Sequence, residues 1–406
     1  MNWRVFTFIS LLSQALRVPI ILSIISNVSY LDNYFVIVAI SIPAQFFATE
    51  VLLYRGISAS YDKGRVLDFS IIVLWMLSLV YFIIHNNCQS TIFYTIYSLS
   101  VVLYGYFNYQ LRESFGAVGF LKYDALINFT ITIFCVLIIE FLPDEYSSYF
   151  ILSMISFLYL SFSLACFCYF KYFGICFYSK ISVNQSYKGY FYQVLIMITT
   201  QLERMIIGLI WPTFLGYISI VGAGTNAWRR MTLDDSILFS QIKNGNSNML
   251  ALEFLEKYKK SALLFSTLGV ILSLIGLFNS DFIFLHVNIK SDVIASLALL
   301  SLIYLTVMPF GIVSINLIRS NEFFPQGISF NYIYSSICFL VCFLIAVSMF
   351  QVEVHNLVWL IISMTALINV VIFFDFLNVK GLMSEHKSVG YLFSMLLLLL
   401  IVIYAK

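Results

Sequence analysis

Long apolar stretches recur from one end of this chain to the other, separated by short breaks that carry Lys, Asn, Ser, Gly or Pro. Thirteen are legible, the first six at about Val5 to Ser26, Tyr34 to Ala59, Leu67 to Ile84, Thr91 to Gln110, Tyr123 to Phe141 and Ser147 to Phe170. The other seven lie at about Tyr190 to Phe214, Gly216 to Gln241, Ser261 to Leu285, Asp292 to Leu317, Gly327 to Met349, Asn356 to Phe376 and Val389 to Tyr404. Most approach or exceed the roughly 20 helical residues that a hydrocarbon layer requires. The runs are continuous rather than alternating, which predicts helices instead of a barrel, because lipid leaves the backbone only those two solutions. The eighth is interrupted by Trp228, Arg229, Arg230, Asp234 and Asp235, and the thirteenth is short, with Met395 to Ile401 almost all leucine.

Composition sharpens this picture. Of 406 residues, 61% are hydrophobic and 10% charged, and the mean hydropathy is +0.94, whereas soluble domains run nearer half apolar and a quarter charged. A soluble globular protein is excluded, and little chain remains for a large domain outside the membrane. The expected fold class is an all-α polytopic membrane protein of about 12 to 13 transmembrane helices in two pseudo-symmetric six-helix bundles around a central cavity. No cleavable signal peptide is expected, since the apolar run after Arg4 is already long and contains Gln14 and Arg17.

The formal net charge of +2 is near balance, so information lies in where the charges sit. Alternating the loops from a cytoplasmic N-terminus places fifteen cations inside, among them Lys63, Arg65, Arg112, Lys122, Lys171 and the Lys257 to Lys260 cluster, and only Lys290 and Lys406 outside. That asymmetry satisfies the positive-inside rule and supports the parity of the spans, the eighth included. The external breaks, such as His85 to Ser90, are short. The internal stretch from Lys171 to Lys188 falls midway, which suggests an N-terminal lobe at residues 1–172, a cytoplasmic linker at 173–189, a second six-helix lobe at 190–378, and a loop with an extra helix at 379–406. A weak repeat agrees: Arg17 precedes a break and Tyr34, as Arg204 precedes Pro212, Gly216 and Tyr217. Parallel repeats of this kind are a transporter architecture.

Five cations remain after the loops are counted, and all are arginine: Arg17, Arg55, Arg204, Arg229 and Arg230. Four carboxylates, Glu50, Glu203, Asp234 and Asp235, are embedded with them. Each such charge costs about 2.5 to 3.5 kcal/mol at the centre of a spanning helix, so the nine together must face one another or a wet cavity. Gln193, Met197, Thr200, Arg204, Gly208 and Trp211 recur every three or four residues and form one stripe, as do Gln14 and Arg17 on the first span. A guanidinium is permanently charged and offers five donors, which suits a phosphate or carboxylate ligand. Plainer roles compete: Arg230 and Asp234 are four apart and can neutralise each other, and Arg55 can snorkel to the interface. Glu50 and Glu203 fit either counter-ions or proton carriers.

Other chemistry is thin. Cys166 and Cys168 lie two apart in an apolar span without further ligands, so packing is expected rather than metal, and His85, His286, His355 and His386 have no second histidine at ligand spacing. No nucleotide signature follows a strand, and neither a cofactor nor a nucleic-acid partner is expected. Pro19, Pro43 and Pro309 should kink the first, second and tenth spans.

Four stretches carry a family resemblance: LLSQALRVPIILSIISNVSYLDNYFVIVAIS near the start, LRESFGAVGFLKYDALIN after the fourth span, ITTQLERMIIGLIWPTFLGYISIVGA across the seventh and eighth, and LIRSNEFFPQGISFNYI between the tenth and eleventh. Over about residues 1–378 the chain resembles the bacterial Wzx-type O-antigen flippases, the polysaccharide branch of the multidrug/oligosaccharidyl-lipid/polysaccharide exporter superfamily. The resemblance implies a two-lobed bundle of twelve helices with alternating access, no enzymatic activity, and a place in the bacterial inner membrane. It also implies an undecaprenyl-diphosphate-linked oligosaccharide as substrate, met by cavity charges such as Arg17 and Arg204, with the polymerase and chain-length regulator of the same pathway as partners. The thirteenth span and the polar eighth depart from that pattern. Two alternatives stand beside it: an O-antigen polymerase or lipid-linked glycosyltransferase, disfavoured by the short external loops, and a small-molecule antiporter of the same superfamily.

Overall fold

The computed structural model describes residues 5–10, 12–13, 17, 32–41, 63–139, 141, 147–174 and 271. The chain forms two compact units, Met1–Ala227 and Trp228–Lys406, and all the described residues but Ile271 belong to the first. Every regular element among them is an α-helix. Residues 5–10 are helical within the expected first span, followed by α1 (Asp32–Ser41), α2 (Lys63–His85), α3 (Cys88–Ile139) and α4 (Ser147–Tyr172). Each falls on one of the first six expected spans, the first two described only in part and α3 covering both the fourth and the fifth. The seventh to thirteenth lie outside the described residues, Ile271 excepted.

The α2–α3 connection is two residues long, and both are asparagine for a reason. Asn86 has φ of 46°, the left-handed region that asparagine enters more readily than most residues, and its N–H closes the last turn of α2 on the Phe82 carbonyl at 2.8 Å. Asn87 is the N-cap of α3, its Oδ1 accepting the Ser90 N–H at 3.2 Å. The hairpin is then held by a Tyr81–Tyr94 stack with centroids 4.8 Å apart and by the Thr95 hydroxyl donating to Ser78 Oγ at 3.1 Å. At the far end of α4, Gly174 takes φ of 64°, and the N–H groups of Phe173 and Gly174 cap the Tyr169 and Lys171 carbonyls.

Helix α3 runs unbroken for 52 residues, through the break expected between the fourth and fifth spans. That break, LRESFGAVGFLK, holds no proline, and its two glycines, Gly116 and Gly119, weaken the helix without ending it. A straight helix would nevertheless carry Cys135 about 57 Å from Tyr97. Instead Tyr97 lies within electrostatic range of Cys135 and Tyr104 within range of Asp124, so α3 doubles back between Gln110 and Leu121 as two antiparallel limbs. The fourth and fifth spans are therefore distinct, joined by helical turns instead of a loop.

Directions alternate accordingly. The first limb of α3 runs alongside α4 in the same sense, through Phe93–Tyr149 at 4.7 Å, Tyr104–Tyr159 at 4.3 Å and Phe107–Phe167 at 6.5 Å. The second limb runs with the first span, Ser10 meeting Asp124 and Ser13 meeting Thr132. Between them sits a core of Tyr34, Phe35, Ile37 and Ala39 from α1, Tyr94, Tyr97, Val101, Ile131 and Cys135 from α3, and Ile151, Leu152 and Ile155 from α4.

The surface is inverted relative to a soluble protein. Trp75, Met76 and Ile83 on α2, Leu126 on α3 and Phe157 and Leu164 on α4 are each more than 60% exposed, while Ser70, Ser98 and Ser100 are fully buried. Exposed apolar patches on this scale call for an apolar solvent, and several buried serines turn back on carbonyls, as Ser100 does on Tyr97, Ser78 on Leu74 and Ser156 on Leu152. Among the described residues, α4 is long and apolar enough by itself to cross a membrane.

The reversal of α3 is directly measurable. Spin labels on Ile96→Cys and Phe134→Cys, both on exposed positions of opposite limbs, should sit within about 25 Å of each other by pulsed electron resonance, the width of two packed helices plus label arms. A separation near the 57 Å of a straight helix would contradict the fold-back.

Candidate functional site

Of the nine charges predicted to line a cavity, Arg17 lies among the described residues; Arg55, Arg204, Arg229, Arg230, Glu50, Glu203, Asp234 and Asp235 lie outside them. Arg17 is set on the first span, one turn beyond Ser13 and two beyond Ser10, so the three share a helix face. That face meets the second limb of α3, where Asp124, Asn128 and Thr132 recur every four residues as a matching polar stripe.

The contacts are specific. Arg17 Nε donates to Thr132 Oγ1 at 3.4 Å, and Nη2 donates to the main-chain oxygen of Asn128 at 3.5 Å and to its Oδ1 at 3.4 Å. The Tyr159 hydroxyl on α4 is a further partner, and Tyr34 and Cys135 lie within electrostatic range. Thr132 shares its own proton between the carbonyls of Ser13 at 2.8 Å and Asn128 at 2.9 Å. Asn128 Nδ2 donates to Asp124 Oδ1 at 3.2 Å, to the Asp124 carbonyl at 2.9 Å and to Ser10 Oγ at 3.2 Å. Ser10 in turn donates to Asp124 Oδ2. At one end of the stripe the Lys122 ammonium stands 5.7 Å from the centre of the Phe6 ring.

Arg17 is therefore surrounded by neutral acceptors. Its hydrogen bonds are longer than the roughly 2.7–2.9 Å of a guanidinium matched to a carboxylate, and among the described residues no carboxylate pairs with it. Partly exposed though ringed by four helical segments, it is a positive charge that no carboxylate among the described residues neutralises, set in an apolar bundle. Such a group attracts an anion, because charge interactions strengthen as water is excluded.

Asp124, Asn128, Thr132 and Tyr159 were not among the residues singled out from sequence. A signal was present: the spacing of four puts the first three on one face of an otherwise apolar span, and Asp124 and Asn128 stand in the stretch LRESFGAVGFLKYDALIN that carries part of the family resemblance. Asp124 stands close to the interfacial Lys122 and reads as a boundary residue. Cys166 is buried and Cys168 exposed, so the two face apart on α4.

No family model matches the sequence, and no curated protein is recognisably similar to it. Solved structures are more informative. The chain superposes on a mutant of the Vibrio cholerae MATE transporter VcmN with a TM-score of 0.53 at 10% identity, covering 95% of this chain and 96% of that one. The chain shares the fold of this transporter. A MATE transporter in complex with MaD3S matches with a TM-score of 0.52 at 12% identity over 94% and 95% of the two chains. An inward-facing multidrug resistance MATE family transporter of the MOP superfamily matches at 0.50 and 11% over 95% of each. With this fold, the apolar spans and the inverted surface, the chain is a multi-pass membrane protein. At 10–12% identity the likeness is one of architecture, and the chemistry has to come from the residues.

An unneutralised Arg17 has a testable consequence for stability. Arg17→Met should leave the unfolding temperature in detergent unchanged or raised, since it removes a partly exposed charge that no carboxylate among the described residues offsets. A loss of about 3–5 kcal/mol, the cost of breaking a buried ion pair, would contradict this electrostatic assignment.

Proposed function

We propose that the chain is a flippase of the bacterial inner membrane, with a cytoplasmic N-terminus, which moves an undecaprenyl-diphosphate-linked oligosaccharide from the cytoplasmic to the periplasmic face by alternating access. The observation that carries this reading is Arg17, a permanent cation held by Thr132, Asn128 and Tyr159 without a paired carboxylate among the described residues. A diphosphate is the polar group hardest to bring through hydrocarbon, and a fixed guanidinium at the edge of an apolar interior compensates part of its lost hydration. The polyprenyl tail stays in lipid while diphosphate and glycan use the polar interior. The MOP fold supports transport in general, and the polar stripe supports an anionic cargo.

In this reading Arg204 is the counterpart of Arg17 in a second six-helix lobe, while Arg55, Arg229 and Arg230 supply further positive charge along the path. Glu50, Glu203, Asp234 and Asp235 serve as counter-ions or couple transport to an ion gradient. The polymerase and chain-length regulator that act on the delivered units are the partners expected on the outer face. A second reading, a small-molecule antiporter, is favoured by the multidrug MATE transporters that share the fold. It differs in substrate, since a drug carrier has no need of an unmatched guanidinium aimed at a diphosphate.

In cells that depend on this chain, Arg17→Ala and Arg204→Ala should each abolish surface polysaccharide and leave completed lipid-linked units on the cytoplasmic face, scored by protease-independent lectin labelling of inverted vesicles. Undiminished polysaccharide from both variants would sink the flippase assignment, and accumulation of unpolymerised units on the outer face would point to a polymerase.

A further inference from the structure

The stripe on α3 contains a carboxylate, Asp124, yet that carboxylate does not reach Arg17; an amide stands between them. Asn128 is 4% exposed, and its amide nitrogen faces three acceptors: Asp124 Oδ1 at 3.2 Å, the Asp124 carbonyl at 2.9 Å and Ser10 Oγ at 3.2 Å. Ser10 can accept there because its proton is committed to Asp124 Oδ2. Its amide oxygen faces Arg17 Nη2 at 3.4 Å. Turning the amide over would set its oxygen against three acceptors and its N–H groups against the guanidinium, leaving several buried groups unsatisfied at once. The negative charge of Asp124 thus fixes the amide, and the amide fixes the arginine.

We propose that Asp124 and Asn128 are positioning residues that hold Arg17 in place through a neutral contact, so that its charge stays available to the diphosphate of the substrate. The inference rests on reading Arg17 as an anion site and adds how that site is kept open. Asparagine at 128 is the deciding feature. A carboxylate at that position would reach the same nitrogen, form a charge-assisted pair and consume the charge. Placing the carboxylate one turn further along, at 124, gives the network its orienting charge without a direct neutralising contact. Ser10 and Thr132 brace the two ends, tying the first span to α3 through Asp124 and through the Ser13 carbonyl.

The test uses the purified full chain in detergent with two readouts: binding of undecaprenyl diphosphate, and the rate at which phenylglyoxal, an arginine-selective reagent, modifies Arg17 as followed by peptide mass spectrometry. In Asn128→Asp the new carboxylate pairs with Arg17 but sets its other oxygen against Asp124 Oδ1, so the unfolding temperature should fall without loss of folding, modification of Arg17 should slow about fivefold or more, and lipid binding should weaken by about tenfold. Asp124→Asn, which frees the amide to turn over, should weaken binding several-fold at a retained unfolding temperature, with Asp124→Glu recovering part of the loss. Parental binding and modification in Asn128→Asp, or parental binding in Asp124→Asn, would overturn the proposal. Failure of both variants to fold would overturn it too, since the pair would then serve stability instead of orientation. Slowed Arg17 modification in Asn128→Asp, in a parent chain that binds no undecaprenyl diphosphate, would keep the positioning role and reject the flippase substrate.

Discussion

A guanidinium inside an apolar bundle constrains everything around it. Arg17 cannot shed its proton, so the helices that enclose it have to supply acceptors wherever its donors point. The second limb of α3 does so with Asn128 and Thr132, α4 with Tyr159. Those residues come from parts of the chain more than a hundred positions away, and only the fold-back of α3 together with the parallel course of α4 brings them to the first span. The packing of the lobe and the electrostatics of the site are one problem with one solution.

The choice of neutral acceptors separates a structural ion pair from a receptor. A carboxylate against Arg17 would lower the cost of burying it and end its usefulness. Amide, hydroxyl and carbonyl oxygens spread the charge without cancelling it, and an anionic cargo completes the match. The inverted surface sets the boundary conditions: with Trp75, Met76 and Phe157 facing outward, polar chemistry has nowhere to go but the interior. In lipid there is no hydrophobic force to drive helix to helix, so stacked tyrosines and hydroxyl-to-carbonyl bonds hold the lobe together.

Much of this was legible in the sequence. Continuous apolar runs located α2 and α4 to within a few residues, because hydrocarbon thickness and backbone satisfaction leave so little freedom. Arg17 stood out because charge is scarce in such a chain. The course of α3 was not legible: residues 111–122 hold polar and charged groups and two glycines that suggest a loop, yet with no proline among them the helical turns continue through the reversal. Asp124 escaped notice for a related reason. It lies two residues from Lys122, at what hydropathy marks as the membrane boundary, and its role appears only once Ser10 and Asn128 are set beside it. Sequence spacing can show that 124, 128 and 132 share a face; it cannot say what the face meets.

The most direct test of the account is the thermal stability of the purified chain with lipid added. A ligand that binds only the folded state raises its unfolding temperature in proportion to its affinity. Undecaprenyl diphosphate should raise it by several degrees in the parent chain and not in Arg17→Ala, while undecaprenol, with the same tail and no charge, should leave both unchanged. An equal rise with undecaprenol, or an undiminished rise in Arg17→Ala, would show that the tail and not the guanidinium recognises the lipid, and would contradict the account at its centre.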